Sequence, residues 1–434
     1  MPTVKPLPMP FAGHASRRRP VACAAAGLWL SLCAGAAAQP APAAAPTPAP
    51  APAAISASAN APDSLAPCLN SLLPRAKAAG ITLERLRLFT AGVQADPGVV
   101  ALLDNQPEFK TPLWDYLAAL VDDERVADGR ALLDQWRDLL AQVAQRYGVD
   151  AETVVAVWGV ESNYGKSLGK RPLVASLATL SCLGRRQDYF RGEFISLLTL
   201  LDRGDITPQQ AVGSWAGAFG HTQFMPSTYQ RLAVDFDGDG RRDLVGSVPD
   251  ALASTAHFLH KAGWKTGQPW GGVLRLPAGF DASLAGRRAK RPLAAWAGLG
   301  LKPADGLALP GSTPMAVLLP TGAAGPAFWV TGNFDAIYGY NAAESYALAI
   351  ALLSDRLRGQ SPPDLRWPTD DAGLSRAERR ELQTLLAARG HAIGDIDGLL
   401  GSASRSAIQA EQARRGWPTD GRAGQKLLQA LRQP

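Results

Sequence analysis

Glu161 is the residue whose type and position are best suited to acid–base chemistry. It follows the apolar segment 154–160 and precedes a turn of polar residues and glycine at 162–165. At helical spacing Val157, Trp158 and Glu161 share one face. Burial there, near the negative end of the helix dipole, would raise the pKa of the carboxyl group and let it donate a proton near neutral pH, as a glycosidase acid must. This segment alone is equally compatible with a helix-end glutamate that pairs with an arginine or lysine.

The elements that must position Glu161 are predicted to be mainly helical. Asp150 is a good N-cap for the helix that carries Glu161, and Val149 with Val154 would form a hydrophobic staple across it. Apolar spacing predicts helices between Leu65 and about Asp150, and then at 172–183, 187–202, 208–216, 250–262 and about 342–358. Short apolar runs between 273 and 331, separated by Pro and Gly, predict a small sheet. The predicted fold class is mainly α (α+β).

A second motif lies at residues 214–229, a turn of small residues that carries a glutamine amide and several aromatic rings. Together with the segment Glu-Ser-Asn-Tyr-Gly at 161–165, it resembles the lytic transglycosylases of the membrane-bound B type, which cleave bacterial peptidoglycan. The resemblance continues through residues 106–109, 114–117, 124–126, 235–240 and 340–341, and it covers roughly residues 65–358 in one order. It implies a lysozyme-like transglycosylase catalytic domain with a small β subdomain.

The resemblance also implies a mechanism with a single carboxylate. In that family one Glu protonates the glycosidic oxygen between N-acetylmuramic acid and N-acetylglucosamine, then takes the proton from the muramoyl 6-hydroxyl, which closes a 1,6-anhydro ring. An attacking group within the substrate has a high effective concentration, so no protein nucleophile and no cofactor are required. Most glycosidases use two carboxylates. No second carboxylate stands at a matching motif position around Glu161, Gln223 and Tyr340.

Five positions match family residues that line the glycan cleft: Ser214, Gln223, Tyr340, Asn341 and Tyr346. Their hydroxyl and amide groups suit sugar oxygens, and their aromatic faces suit sugar rings. Core packing is the competing interpretation for both tyrosines, and a helix-terminal cap is the competing one for Ser214. The sequence departs from the family at His221, where a tyrosine is frequent, and at Phe258, where an aromatic hydroxyl is expected. At His221 the family's side-chain contact would be lost and a new polar contact could replace it, and at Phe258 we expect one fewer hydrogen bond to the substrate.

The segment 235–241 has the opening of a calcium-binding loop, with alternate oxygen ligands and a Gly at the sharp turn. The standard loop ends on a Glu at its twelfth position, where this chain has Gly246, so Asp243 or Asp250 would have to complete the shell. The competing interpretation is an acidic surface turn without metal. The five histidines lack ligand spacing, so the sequence does not support a zinc site. The predicted ligand set for a structural calcium is Asp235, Asp237, Asp239, Arg241 and Asp250.

Residues 1–38 are typical of a secretory signal peptide. They combine three arginines at 17–19, an apolar stretch at about 21–34 and three alanines at 36–38. A lipidated Cys33 is the rival interpretation, and it is disfavoured because bulky Leu32 precedes it. Removal of the signal lowers the formal charge from +6 to +2, because the segment holds Lys5 and the three arginines and no acidic residue. The sequence therefore predicts export to the periplasm and no nucleic-acid partner.

Export leaves two cysteines, Cys68 and Cys182. An even pair in an oxidising compartment is a disulfide candidate, and we predict that the two residues pair. Two separately buried thiols are the alternative. A disulfide would join the first helix to the segment that follows the Glu161 turn.

The remaining sequence divides into further segments. The predicted divisions are a Pro/Ala-rich linker at 39–62, the catalytic domain at 63–359, a linker at 360–374 and a helical module at 375–434. In the module an Asp-Gly turn at 397–398 recurs at 420–421, and leucines predict a three-helix core that resembles the peptidoglycan-binding domain of wall enzymes. A helical domain that only stabilises the enzyme is the alternative for this module.

The predicted function is that of a monomeric lytic transglycosylase whose partners are peptidoglycan glycan strands, with cell-wall synthesis or division proteins as candidate regulators. A hydrolysing muramidase and a non-catalytic wall-binding protein are the alternative functions. The products of wall digestion distinguish the first two, and loss of activity on removal of the Glu161 carboxyl excludes the third.

Overall fold

Helices make up most of the chain that the structure describes. The computed structural model describes residues 65–103, 110–304 and 313–433. The helices of the N-terminal half are α1 (Ala66–Ser71), α2 (Leu73–Ala78), α3 (Leu83–Thr90), α4 (Pro97–Leu102), α5 (Leu113–Leu120), α6 (Asp123–Gln135), α7 (Arg137–Tyr147), α8 (Ala151–Ser162), α9 (Leu173–Cys182) and α10 (Gln187–Arg203). Those that follow are α11 (Pro226–Leu232), α12 (Val248–Lys261), α13 (Leu293–Ala297), α14 (Gly332–Asn341), α15 (Glu344–Leu357), α16 (Arg376–Ala388), α17 (Ser402–Arg414) and α18 (Gln425–Arg432).

Helix α8, which carries Glu161, runs through the largest apolar core. The Asp150 side chain accepts a hydrogen bond from the Thr153 amide at 3.1 Å, so the predicted N-cap and helix start are confirmed. Every residue from 153 to 159 is buried, because α8 packs against α6, α7, α12 and α15. The helix is therefore packed on several sides, and Glu161 lies in its C-terminal turn.

The N-terminal helices pack with α9 and α10 around a second core. Cys68 in α1 and Cys182 at the end of α9 form a disulfide in this region, with their Cα atoms 5.8 Å apart. The predicted helices at 172–183 and 187–202 are confirmed by α9 and α10. The disulfide ties the start of the described chain to the helix that follows the Glu161 turn.

The predicted small sheet is also present. Its strands are β3 (Gly271–Arg275), β4 (Lys302–Pro303), β5 (Ala316–Leu318) and β6 (Ala327–Val330), and they lie antiparallel in the order β4-β3-β6-β5. Strands β1 (Arg171–Pro172) and β2 (Val212–Gly213) form a separate antiparallel pair. A helix predicted at about 342–358 corresponds to α15, and α12 begins two residues before the predicted helix at 250–262.

The prediction of a helix at 208–216 is wrong. This segment holds turns and strand β2, in which Gly213 pairs with Arg171. A Cβ atom on Gly213 would lie 2.2 Å from the Ala218 carbonyl oxygen, and Gly217 has φ +102. Both glycines therefore serve a tight loop that a helix could not replace, and glycine itself disfavours a helix interior.

Helices α16, α17 and α18 form the predicted three-helix core of the C-terminal module, residues 375–433. Ser375 and Glu378 form a capping box at its first helix. The two Asp-Gly turns are built alike, because the Gly398 amide donates to buried Gln383 at 2.7 Å and the Gly421 amide donates to buried Gln412 at 2.9 Å. The core of this module consists mainly of leucine and isoleucine side chains: Leu374, Leu382, Leu386, Ile393, Ile408, Leu427, Leu428 and Leu431.

Several predicted segments lie outside the described residues. These are the signal peptide at 1–38 with Cys33, the Pro/Ala-rich linker at 39–62 and the motif at 106–109. Within residues 65–103, 110–304 and 313–433, the helices fall short of the length and apolar character needed to span a bilayer.

Candidate active site

Glu161 lies in the last turn of α8 and is partly buried. The Tyr346 hydroxyl, on α15, donates a hydrogen bond to its Oε1 atom. Tyr346 is 2% exposed, and this burial together with the nearby Glu161 charge raises its pKa well above the usual value. The phenol therefore stays protonated and acts as a hydrogen-bond donor to the carboxylate over the physiological pH range.

Tyr340, on α14, forms an aromatic wall together with Tyr346. Its ring stacks on that of Tyr346, with centroids 6.3 Å apart and an interplanar angle of 22°. Its hydroxyl donates to the carbonyl oxygen of Thr222 at 2.8 Å, and its ring lies 4.5 Å from that of Phe258. Burial and the Glu161 charge raise the pKa of Tyr340 as well. Phe258 thus supports the tyrosine wall through its ring, without a hydroxyl group.

The turn after Glu161 has an unusual backbone. Asn163 and Tyr164 both have positive φ, at 51° and 60°. The Tyr164 hydroxyl donates to the Arg125 carbonyl oxygen at 2.9 Å, and the ring occupies a slot in which a Cβ atom on Gly159 would come within 2.7 Å of it. The Arg125 guanidinium donates to the Gly159 carbonyl oxygen. These contacts fix the end of α8 and hence the direction of the Glu161 side chain.

Ser162 and His221 connect this turn to the 214–225 loop. Ser162 Oγ donates to the His221 carbonyl oxygen at 2.5 Å and accepts from the Gly165 amide at 2.8 Å. The Trp158 indole donates to His221 Nδ1 at 3.2 Å. Burial lowers the pKa of the His221 imidazole, and a ring that accepts at Nδ1 is the neutral form. His221 therefore makes polar contacts that join its loop to the end of α8.

The remaining cleft candidates differ in their surroundings. Gln223, with φ 50°, donates through Nε2 to the carbonyl oxygens of Gly220 at 2.9 Å and Leu168 at 3.2 Å. Ser214 Oγ accepts from the Ala218 amide at 3.0 Å, so it closes a turn in its own loop. Asn341 is exposed at the end of α14. The structure thus brings Tyr346 into contact with Glu161 and stacks Tyr340 on Tyr346, whereas Ser214 and Gln223 bond to backbone groups.

The acidic loop forms a second cluster. Carboxylate oxygens of Asp235, Asp237 and Asp250 lie within 4.8 Å of one another. Asp250 is buried and accepts backbone amides from the loop, including those of Phe236 at 2.7 Å and Asp243 at 2.8 Å. Burial raises the pKa of Asp250. Oxygen ligands of this kind fit a hard cation such as calcium.

The other acidic residues of the loop lie outside that group of three. Asp239 accepts the Arg241 amide at 2.8 Å. Both oxygens of Asp243 bond to the Gln210 amide, at 3.1 and 3.0 Å. Of the two residues that could complete the shell, the structure therefore favours Asp250.

Sequence reasoning missed three residues that shape the site. Arg125 and Tyr164 hold the end of α8, and Arg376 from the C-terminal module donates to Asn163 Oδ1 at 2.5 Å. The sequence carried a partial signal for Tyr164, which lies inside the Glu161 motif. For Arg376 there was none, because 213 positions separate it from Asn163.

Two families match the chain. Residues 64–355 match the transglycosylase SLT domain, and residues 375–431 match a peptidoglycan binding domain. The chain is also 32% identical over 288 residues to the membrane-bound lytic murein transglycosylase B of Escherichia coli, and the match covers 62% of this chain and 77% of that protein.

Solved structures give a consistent result. SltB3 from Pseudomonas aeruginosa, in complex with NAG-anhNAM-pentapeptide, is 46% identical with a TM-score of 0.67, over 85% of this chain and all (100%) of that chain. The Escherichia coli lytic transglycosylase Slt35, in complex with calcium, is 30% identical with a TM-score of 0.59, over 67% of this chain and 93% of that chain. The likeness to SltB3 thus covers a larger share of the chain than the likeness to Slt35.

Proposed function

This chain belongs to the transglycosylase SLT domain family, and from that membership we propose that it cleaves the β-1,4 bond between N-acetylmuramic acid and N-acetylglucosamine in peptidoglycan, leaving 1,6-anhydromuramoyl ends. The chain is an enzyme of the lytic murein transglycosylase type. The observation that carries the proposed mechanism is the position of Glu161, at the fixed end of a buried helix with a tyrosine hydroxyl on its carboxylate.

In this mechanism Glu161 acts first as an acid. It gives its proton to the glycosidic oxygen as that bond breaks, and positive charge develops at the anomeric carbon of the muramoyl ring. The Tyr346 hydroxyl, which donates to Glu161 Oε1, stabilises the carboxylate that remains. The same carboxylate then accepts the proton of the muramoyl 6-hydroxyl as that oxygen attacks the anomeric carbon. Glu161 thus recovers the proton that it gave, the glycosidic bond is replaced by the bond of the anhydro ring, and no water is consumed.

The aromatic wall supports substrate binding. Tyr340 and Tyr346 stack beside Glu161, and sugar rings pack favourably on aromatic faces. We include Ser214, Gln223 and Asn341 among the residues that line the cleft, because their hydroxyl and amide groups can bond sugar oxygens. Gln223 also bonds to the carbonyl oxygen of Leu168, in the segment that follows the Glu161 turn, so it would orient the cleft as well as contact it.

The C-terminal module would hold the enzyme on the wall. Residues 375–431 match a peptidoglycan binding domain, and the complex of SltB3 contains a peptidoglycan fragment. The signal peptide at 1–38 would direct the chain to the periplasm, where the substrate lies. We propose that the enzyme acts there as a monomer on glycan strands.

A structural calcium completes the proposal. Asp235, Asp237 and Asp250 would supply carboxylate oxygens, with Asp239 and the Arg241 backbone as further members of the loop. Slt35, which is similar to this chain, has been solved in complex with calcium. The ion would stabilise the loop, and the chemistry at Glu161 requires no cofactor.

The products of wall digestion in heavy-oxygen water test the reaction type. A transglycosylase yields anhydromuramoyl ends that contain no oxygen from the solvent, whereas a muramidase yields reducing ends that carry the heavy isotope. Mass spectrometry distinguishes the two. Reducing, isotope-labelled ends as the main product would overturn the proposal in favour of hydrolysis.

A further inference from the structure

One side chain of the C-terminal module contacts the C-terminal end of α8, the helix that carries Glu161. Arg376 is the first residue of α16 and is 8% exposed. Its Nη1 atom donates to Asn163 Oδ1 at 2.5 Å, while its Nε and Nη2 atoms lie 3.3 and 3.4 Å from the carboxylates of Glu124 and Asp128 on α6. A single guanidinium thus joins the module, α6 and the turn that follows Glu161.

Asn163 adopts a backbone conformation that needs to be stabilised. It is the C-cap of α8 and adopts the left-handed conformation, with φ 51° and ψ 49°. Residues other than glycine rarely occupy this region, and asparagine does so with help from hydrogen bonds of its short side chain. Arg376 supplies such a bond to the Asn163 amide oxygen, two residues along the chain from Glu161.

The position of the guanidinium is also favourable electrostatically. A cation at the C-terminus of a helix interacts with the negative end of its dipole. Arg125 already donates to the Gly159 carbonyl oxygen there, and Arg376 adds a second guanidinium beside it. Glu124 and Asp128 pair with Arg376, and Asp122 lies beside Arg125, so acidic groups offset the like charges of the two arginines. The end of α8 is therefore stabilised by groups from two parts of the chain.

We propose that Arg376 is a positioning residue for catalysis: it holds the left-handed cap of α8, so that the peptidoglycan-binding module contributes to the rate of cleavage as well as to wall binding. This inference rests on the proposed function, because it concerns the orientation of Glu161. Arg376 does not contact the substrate in this scheme. It acts through Asn163, and its loss lets the Glu161 turn relax.

Arg380 provides a matched control. It lies one turn further along α16 and bonds to Glu124 at 2.7 Å, so it also joins the module to α6. Arg376 differs from Arg380 in its bond to Asn163 and in its contact with Asp128. Arg376→Gln and Arg380→Gln therefore each remove one cation from the same interface, but only Arg376→Gln removes the contacts with Asn163 and Asp128. An Asn163→Gly background separates the first of these contacts from the second.

The experiment compares full-length wild type, Arg376→Gln, Arg376→Lys and Arg380→Gln on soluble peptidoglycan strands, with wall-binding affinity measured separately. We expect Arg376→Gln to lower kcat about tenfold or more, with KM and wall binding within about twofold, because a small misplacement of a reacting group costs up to about a hundredfold. Arg380→Gln should keep kcat within about twofold. Arg376→Lys should be intermediate, because lysine keeps the charge but not the planar fork.

A double-mutant cycle with Asn163→Gly separates positioning from general stability. Glycine adopts the left-handed conformation without help, so adding Arg376→Gln to Asn163→Gly should lower kcat by about twofold or less. Equal losses in kcat for Arg376→Gln and Arg380→Gln, or a full additional loss in the Asn163→Gly background, would overturn the inference. If the wild type itself produces no anhydro ends, the proposed function fails instead, so the two failures are distinguishable.

Discussion

The Tyr346 hydroxyl donates a hydrogen bond to Oε1 of Glu161, although 185 positions separate the two residues in the chain. Tyr346 lies in the first turn of α15, which packs along α8. The apolar contact between these two helices therefore also sets the position of the phenol relative to the carboxylate. The packing of α15 on α8 therefore determines the geometry of the Tyr346–Glu161 pair.

Tyr346→Phe tests this contact. A hydrogen bond to a charged group contributes roughly 1.5–3 kcal/mol, so loss of the hydroxyl should lower kcat about 10- to 100-fold with a small change in KM. Steady-state kinetics on soluble glycan strands measure both constants. Tyr229→Phe is the control, because its buried hydroxyl donates to the Arg242 and Asp205 carbonyl oxygens, away from the aromatic wall at Glu161. An unchanged kcat for Tyr346→Phe would remove this residue from the mechanism.

The elements around this pair were predictable because their signals are local. The apolar stripe and the N-cap Asp150 mark α8 from start to end, and the predicted boundaries agree with the structure. The leucine pattern likewise predicted the three-helix core of the module. Helix α14 was missed, since its sequence Gly-Asn-Phe-Asp-Ala-Ile-Tyr-Gly-Tyr-Asn lacks a clear helical stripe.

The partners of polar side chains could not be predicted in the same way. Ser214 bonds to the Ala218 amide, and Gln223 bonds to two carbonyl oxygens, one of them 55 positions away. A sequence shows the type of each polar group but not which backbone atoms the fold brings beside it. For the same reason Arg376 and Arg125 gave no sign of their contacts with the end of α8.

Gly159→Ala tests the slot that holds Tyr164. The added methyl group would lie 2.7 Å from the Tyr164 ring, so the ring or the helix must shift. We expect a loss of about 1–3 kcal/mol in the free energy of unfolding, together with lower kcat, because overpacking at this point also displaces the Glu161 turn. Chemical denaturation and kinetics provide the measurements.

Gly192→Ala is the matched control, since Gly192 lies in helix α10 and a Cβ atom added there would have no other atom within 4 Å. Alanine there should stabilise the protein by about 0.5–1 kcal/mol and leave kcat unchanged. If the two substitutions change the free energy of unfolding and kcat equally, the packing of Tyr164 against Gly159 does not position the Glu161 turn.

Calcium should stabilise the protein through the acidic loop. Titration calorimetry of demetallated wild type should detect binding, and the melting temperature should rise with calcium concentration. Asp237→Asn removes one of the three converging carboxylates and should weaken binding by about tenfold or more. Asp134→Asn, which alters an exposed ion pair with Arg137, should bind calcium as the wild type does. No binding heat and no thermal shift in the wild type would rule out a calcium site.

Asp355 should make stability depend on pH. Burial raises the pKa of this carboxyl from 3.8 to about 6, while Trp270 and Arg358 oppose the shift. Between about pH 4 and pH 6 the folded state then binds more protons than the unfolded state, so the contribution of Asp355 to stability falls as pH rises. A shift of this size corresponds to roughly 3 kcal/mol.

Asp355→Asn removes this titration. The difference in unfolding free energy between wild type and variant should therefore shift in favour of the variant as pH rises from 4 to about 6.5. Urea denaturation at several pH values measures it. A difference that is constant across this range would mean that the pKa of Asp355 is the same in the folded and unfolded states.

The most direct test of the central claim is the rate at which Glu161→Gln releases anhydromuramoyl products from purified wall. Glutamine keeps the shape of the side chain but cannot donate and recover the proton, so the rate should fall by about 10²- to 10⁴-fold. Glu152→Gln, in the first turn of the same helix, should retain the wild-type rate. If Glu161→Gln releases these products as fast as the wild type, Glu161 is not the acid and base of this enzyme.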